Sequence, residues 1–234
     1  MKTILLAGGY GTRISEETSD KPKPMVLVNG KPILEHVTDI FKTQGFNDFV
    51  VAGGYKYEVI QEWALDASKR GINVVAIDTG LETQTGGRIR QCLDYIGEER
   101  VFVTYGDGVG NVNLKSLLDF HMQNGKLATV TAVRPPARFG VLESENGLVT
   151  HFGEKNQTDA GWINGGFFVL EPLVKEYIND DLEPFEKYPL PRLVEKTELM
   201  AFYHHGFWQP MDTLREKNEL EELAKSPFIP WLNA

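Results

Sequence analysis

Short apolar runs alternate with longer segments whose apolar residues recur at helical spacing, and this rhythm continues as far as Val133. Residues 2–7 (KTILLA) are a short apolar run ended by glycines, the mark of a buried strand. Ile33, Leu34, Val37, Ile40 and Phe41 then share one face of a helix over 31–44, and Gly45 is placed to cap it. The same reading gives a strand at 49–53, a helix at 58–68, a strand at 73–77, a helix at 87–96 and a strand at 101–105. Leu114, Leu117, Leu118 and His121 mark one more helix before a strand at 128–133. Strands alternating with helices of this length predict a parallel sheet covered on both faces.

After Pro135 and Pro136 the rhythm changes. Residues 140–143 and 148–152 read as a hairpin around Asn146–Gly147, a dipeptide suited to a tight turn. Further strands are expected at 166–170 and 199–204. Thr213 and Glu216 stand three apart, the spacing of a capping box, which places Asp212 just ahead of a helix. The fold class expected is therefore α/β: a doubly wound, Rossmann-like mixed sheet whose second half adds antiparallel strands. No repeat or flexible linker divides residues 1–234, which read as a single domain.

Composition narrows the function. The chain has 24 basic and 33 acidic residues, a net charge of −9, which excludes a general binder of nucleic acid or of an anionic membrane. Any phosphate site must be a local gathering of donors. The lone Cys92 excludes an internal disulfide and sits on an apolar helical face, as a core residue would. No stretch approaches the roughly 18 apolar residues of a membrane span, and a cytoplasmic location is expected.

The candidate chemistry begins at residues 5–13, LLAGGYGTR, where the first strand meets three glycines and an arginine. Ile14 stands where a dinucleotide fingerprint needs its third glycine, and no Gly-Lys-Ser/Thr follows as a P-loop requires. What remains is a turn whose backbone N–H groups can approach phosphate closely, with Arg13, Lys21 and Lys23 supplying charge.

The turn, followed by KPKPMV at residues 21–26, resembles the sugar nucleotidyltransferases, which join a nucleoside triphosphate to a sugar 1-phosphate and release pyrophosphate. The resemblance continues through YGDGV, RFGVLE, INGGFFVLEP and GFWQPMDTLREKNELE, nearly the whole chain. Within the family, TGGRIR, FVTYGDGV and GFWQPMDTLR are most similar to the glucose-1-phosphate cytidylyltransferase branch. The resemblance implies a GT-A-like nucleotidyltransferase fold. Its nucleotide-binding half would cover about residues 1–110 and its sugar-phosphate-binding half about 111–234. The substrates implied are CTP and glucose 1-phosphate, with Mg²⁺ as cofactor.

By the same resemblance, Arg13 clamps the β- and γ-phosphates, and Lys23, preferred over Lys21, stands near the α-phosphate. Asp107 and Asp212 form the metal pair; together with Arg13 and Lys23 they are the expected catalytic set. The nucleotide is expected against Leu6, Ala7, Gly8, Gly9, Gly11, Thr12, Gln84, Thr85, Gly86, Arg88 and Gly106. The sugar phosphate is expected against Gly140, Glu154, Lys155 and Asn164. The order of cytosine over thymine or uracil does not follow from these residues themselves.

Other features have plainer readings. His204 and His205 are neighbours in an expected strand and point to opposite faces, which argues against a shared metal. Phe167 and Phe168 read as packing residues, and the acidic stretch 216–222 as a solvated helix face. Two features depart from the family pattern: Asn156 replaces a proline, and residues 55–74 supply one helix where the branch has a longer, subunit-contacting segment. A homo-oligomer is compatible with the resemblance but not required. Transfer from dTTP or UTP, a different phosphate acceptor, and a catalytically silent subunit of the same fold are the alternatives.

Overall fold

The computed structural model describes residues 1–135, 140–145, 148–154 and 161–233. Strand β1 (Thr3–Leu6) runs into the glycine turn, a 3-10 turn at Thr12–Ile14 and the single-turn helix α1 (Ser15–Thr18). A second 3-10 turn, Lys23–Met25, leads to a small hairpin of β2 (Leu27–Val28) and β3 (Lys31–Pro32). Then come α2 (Ile33–Thr43), β4 (Asp48–Gly53), α3 (Tyr57–Lys69), β5 (Asn73–Asp78), α4 (Thr85–Ile96) and β6 (Val101–Tyr105). This strict alternation is the one the periodicity predicts. Next are β7 (Gly108–Gly110), α5 (Leu114–Asn124), β8 (Ala128–Val133), β9 (Gly140–Glu145), β10 (Leu148–Glu154), β11 (Ile163–Asn164) and β12 (Phe168–Leu170). The chain closes with α6 (Pro189–Glu195), β13 (Leu199–Tyr203), β14 (Trp208–Pro210) and α7 (Leu214–Ala224).

In the main sheet β5, β4, β1 and β6 are parallel neighbours in that order. Strand β12 comes next, antiparallel to both β6 and β8, so a late strand is inserted between two earlier ones. Strand β8 also pairs β11 antiparallel and β13 parallel.

Three expectations need correction. Lys31 belongs to β3 rather than to the helix, because Asn29 and Gly30, with φ of 49° and 74°, turn the chain tightly and draw Lys31 into a hairpin. The strand expected from Gly166 starts at Phe168, since Gly166 and Phe167 both have positive φ (75° and 45°), which is incompatible with extended pairing. The strand expected through His204 ends at Tyr203. The antiparallel additions expected of the second half are β11 and β12; among the described residues β13 is parallel to β8, and β9 and β10 pair with each other alone. The Asn146–Gly147 turn lies outside the described residues.

The alternation of side chains along β1 divides the core into two layers. Leu5 points into the layer with Ile33, Val37, Phe41, Trp63 and Leu220, under α2, α3 and α7. Ile4 and Leu6 point into the other, with Ile89, Cys92, Leu93, Leu190 and Leu193, under α4 and α6. Cys92 is wholly buried, as its helical position predicts.

One ion pair ties α2 to the end of α3. Arg70 donates to both oxygens of Glu35 (2.7 and 2.9 Å), and Trp63 Nε1 donates to Oε2 at 3.0 Å. The Arg70 fork outweighs the burial of the carboxyl and holds its pKa at about 2, against 4.5 for an ordinary glutamate. Because the folded value lies below the unfolded one, this stabilisation is complete above pH 4.5 and fades as the pH falls towards 2. Glu35→Gln is expected to cost about 2 kcal/mol at pH 7, a figure reduced for the solvent exposure of Arg70. Urea unfolding should show the gap to wild type narrowing at pH 3; a gap independent of pH would overturn the assignment.

Candidate active site

The site is built at the carboxyl ends of β1 and β6, the edge where open parallel sheets expose backbone for ligands. The Gly106 N–H donates to the Leu6 carbonyl at 2.9 Å, which locks the turn after β6 against the end of β1. Gly11 has φ of 67°, and a Cβ there would stand 2.9 Å from Lys23 Cβ and 3.0 Å from Thr18 Cγ2. Glycine lets the turn pass this close to Lys23 in a left-handed conformation.

Two carboxylates far apart in sequence are brought together by a ribbon that nothing in the periodicity reveals. Strands β7 and β14 pair antiparallel, Gly108 opposite Pro210, and the Met211 N–H donates to the Asp107 carbonyl at 2.8 Å. Asp212 then sits just ahead of α7, where Thr213 and Glu216 form the expected capping box. Glu216 Oε2 accepts from the backbone N–H of both Asp212 (2.7 Å) and Thr213 (2.9 Å), so the carboxylate stands on a fixed backbone.

Lys23 Nζ lies 2.6 Å from Asp107 Oδ2 and 2.6 Å from Asp212 Oδ1, while Arg13 reaches Asp212 Oδ2 at 2.8 Å. Burial works against the Lys23 ammonium, but the Asp107 and Asp212 carboxylates outweigh it and hold its pKa above the usual lysine value. Among the described residues Lys21 has only Asp20 within ion-pair range, at 4.0 Å, whereas Lys23 faces the cluster. Two carboxylate oxygens from separate elements thus face one point, now held by a cation. That donor set suits a hard cation such as Mg²⁺, which takes one or two carboxylates and completes its shell with phosphate oxygens and water. Among the described residues no group of three or more acidic, histidine or cysteine side chains is arranged around a metal position.

Beside the cluster a cleft is lined by Leu6, Ala7, Gly9, Gly11, Thr12 and Pro24. It adjoins a recess of about 380 Å³ lined by Gly8, Tyr10, Leu81, Thr83, Gln84, Thr85, Arg88 and Tyr105. Sequence reasoning gave no role to Pro24, Tyr10, Leu81, Thr83 or Tyr105. Tyr10 lies inside the glycine turn and Tyr105 ends β6 just before Gly106, and that adjacency was the available signal; Leu81 and Thr83 carried none.

Arg88 is 4% exposed, and both of its terminal nitrogens donate to protein oxygens. It donates to Gly53 O (2.7 Å), Thr79 Oγ1 (2.5 Å), Gly8 O (3.1 Å) and Leu81 O (3.4 Å), bracing the glycine turn from beneath. Gly86 is packed away from the cleft: its N–H donates to Glu183 O at 3.0 Å, and a Cβ would meet that oxygen at 2.5 Å. Of the residues expected at the sugar phosphate, Gly140 and Glu154 stand opposite each other in the β9–β10 register. Asn164 donates to Tyr105 OH at 2.9 Å, and Lys155 lies outside the described residues. His204 Nε2 lies 3.1 Å from Phe207 O and His205 packs on Trp162, so the two histidines have separate partners. Among the described residues no helix is long and apolar enough to cross a membrane.

The nucleotidyl transferase family matches residues 2–213 of this chain. Glucose-1-phosphate cytidylyltransferase of Salmonella typhi is 44% identical, the match covering 99% of this chain and 98% of that protein. Mannose-1-phosphate guanylyltransferase catalytic subunit beta of Drosophila melanogaster is 32% identical over 91% of this chain and 61% of its own length. Among solved structures, HddC from Yersinia pseudotuberculosis has the same fold, with a TM-score of 0.75 at 24% identity, covering 96% of this chain and 99% of that one. With its glycine turn, its paired carboxylates and this end-to-end similarity, the chain belongs to the nucleotidyl transferase family.

Proposed function

We propose that this chain transfers the cytidylyl group of CTP to α-D-glucose 1-phosphate in the cytoplasm, giving CDP-glucose and pyrophosphate. The observation that carries nucleotidyl transfer is the convergence of Asp107 and Asp212 on Lys23 beside the glycine turn. The choice of base and sugar is supported by the full-length similarity to a glucose-1-phosphate cytidylyltransferase.

A phosphate oxygen of the acceptor attacks the α-phosphorus in line. The new P–O bond forms as the bond to the bridging α–β oxygen breaks, and pyrophosphate leaves with that electron pair. The nucleophile is already anionic, so no general base is needed; positioning and charge compensation carry the rate. Lys23 would give its positive charge to the α-phosphate, and the exposed Arg13 side chain would hold the β- and γ-phosphates as they depart. Mg²⁺, held by Asp107 and Asp212, would supply further charge neutralisation at the triphosphate. The nucleotide side would occupy residues 1–110 and the sugar-phosphate side 111–234 of one domain, with Glu154, Lys155, Asn164 and Gly140 around the sugar.

Pyrophosphate release over a grid of nucleoside triphosphates and phosphorylated acceptors tests this. Release with CTP and glucose 1-phosphate is expected. Release with dTTP but not CTP would overturn the base assignment, and silence with every pair would favour a non-catalytic subunit.

A further inference from the structure

Glu186 lies on the loop before α6, outside every motif of the sequence, and both of its carboxylate oxygens are engaged by residues that line the recess. Tyr105 OH donates to Oε1 at 2.6 Å, and Thr85 Oγ1 donates to Oε2 at 2.8 Å. Among the described residues no cation lies within ion-pair distance of this carboxylate. It is therefore spent on two hydroxyl groups, one at the end of β6 and one at the start of α4.

The proton assignments follow from the donor inventory. An ionised carboxylate only accepts, so the single Tyr105 hydroxyl hydrogen points at Glu186 and leaves oxygen lone pairs free. One of these accepts from Asn164 Nδ2 at 2.9 Å, while Asn164 Oδ1 accepts from the Gly166 N–H at 2.8 Å. Both ends of the Asn164 amide are thereby fixed. Its second Nδ2 hydrogen is left available, on an exposed side chain, to donate to an oxygen ligand. At the other end, Thr85 Oγ1 accepts from the Phe185 N–H at 2.7 Å, and Thr85 is the first residue of α4, next to Gln84 in the nucleotide recess. Without Glu186 the Tyr105 hydrogen would be free to turn towards Asn164, and that donor would compete with the amide N–H for the same space.

We infer that Glu186 is a positioning residue, which through Tyr105 sets the Asn164 amide as a donor to the sugar phosphate and through Thr85 ties that setting to the nucleotide side. The inference rests on the reading of Asn164 as a sugar contact. Burial, followed by the neighbouring Glu186 charge, keeps the Tyr105 phenol protonated well above its ordinary range, as a permanent donor requires.

The test uses Glu186→Ala, Glu186→Gln and Tyr105→Phe on the full chain, with the nucleotide and acceptor pair identified by pyrophosphate release. Glu186→Ala is expected to raise KM for the sugar phosphate about tenfold, with kcat within a factor of two and a smaller rise in KM for the triphosphate. Glu186→Gln keeps an acceptor for Tyr105 and should restore most of the loss. Glu186→Ala combined with Tyr105→Phe should be no worse than either alone. Amide exchange on the free protein gives a readout independent of turnover: the Gly166 and Phe185 N–H groups should exchange faster in Glu186→Ala and normally in Glu186→Gln. Unchanged exchange, or additive losses in the double variant, would overturn the inference. If no substrate pair releases pyrophosphate, the functional reading fails while the exchange data still decide the role of Glu186.

Discussion

Asp107→Asn is expected to lose about a thousandfold in turnover while the protein stays folded, and Asp212→Asn at least as much. The asparagine side chain keeps the size and hydrogen-bonding reach of the carboxylate but removes its charge. Loss of a single charge-stabilising group from a preorganised site typically costs about 10²–10³ in kcat. Here each carboxylate also orients Lys23, and Asp212 orients Arg13, so the loss extends beyond one contact. Folding should survive for a definite reason. Removing one partner of a buried ion pair is severe when it strands the other charge. Lys23 has two carboxylates, and either variant leaves it one. Thermal melting should therefore move little, and Mn²⁺ titration in the presence of a non-hydrolysable triphosphate should show weakened metal binding. Full activity of Asp107→Asn would refute the metal role.

Arg88→Met should give the opposite signature, a loss of stability together with weakened triphosphate use. The methionine fills similar space but leaves the Gly8, Gly53 and Leu81 carbonyls without their shared donor. Each buried acceptor left unsatisfied costs about 1–3 kcal/mol, so a total of about 3 kcal/mol is a conservative expectation. For a chain of this length that corresponds to a fall in Tm of roughly 6–12 °C. The glycine turn would lose its support, and KM for the triphosphate should rise about tenfold or more. Arg88→Lys should rescue little, because one ammonium cannot reproduce a fork that reaches several oxygens. If Arg88 instead acted mainly on a phosphate, Tm would be unchanged while kcat/KM fell. Calorimetry beside steady-state kinetics separates the two.

These two cases mark how far the sequence carries. The parallel half of the sheet was legible because β1, β4, β5 and β6 are short apolar strands separated by helices with a clear apolar face. The capping box ahead of α7 was legible because it is a local pattern, four residues long, with its own chemistry. The β7–β14 ribbon was not: three-residue strands have too few positions to show alternation, and their pairing spans most of the second half. The proximity of Asp107 to Asp212 was accessible only through family resemblance. Arg88 shows a different limit. A basic residue in a glycine-rich segment invites a phosphate, but whether its donors face solvent or backbone carbonyls depends on how Gly8, Gly53 and Leu81 are folded around it. The start of β12 was misplaced because nothing in Gly166–Phe167 announces two consecutive residues of positive φ, the second a phenylalanine.

The placement of β12 between β6 and β8 has a consequence for how the chain is made. During synthesis from the N-terminus, β6 and β8 emerge well before residues 168–170, so two apolar strands must wait with facing edges unfilled. The partner of Lys23 at Asp212 emerges later still. The nascent protein is thus a sheet with a missing middle, and an unpaired strand edge is the feature by which incomplete chains join one another. Late filling by a non-local strand also raises contact order and slows the closing step. On the ribosome, the facing edges of β6 and β8 stay unfilled until residues 168–170 have emerged, and β8 then still awaits β13.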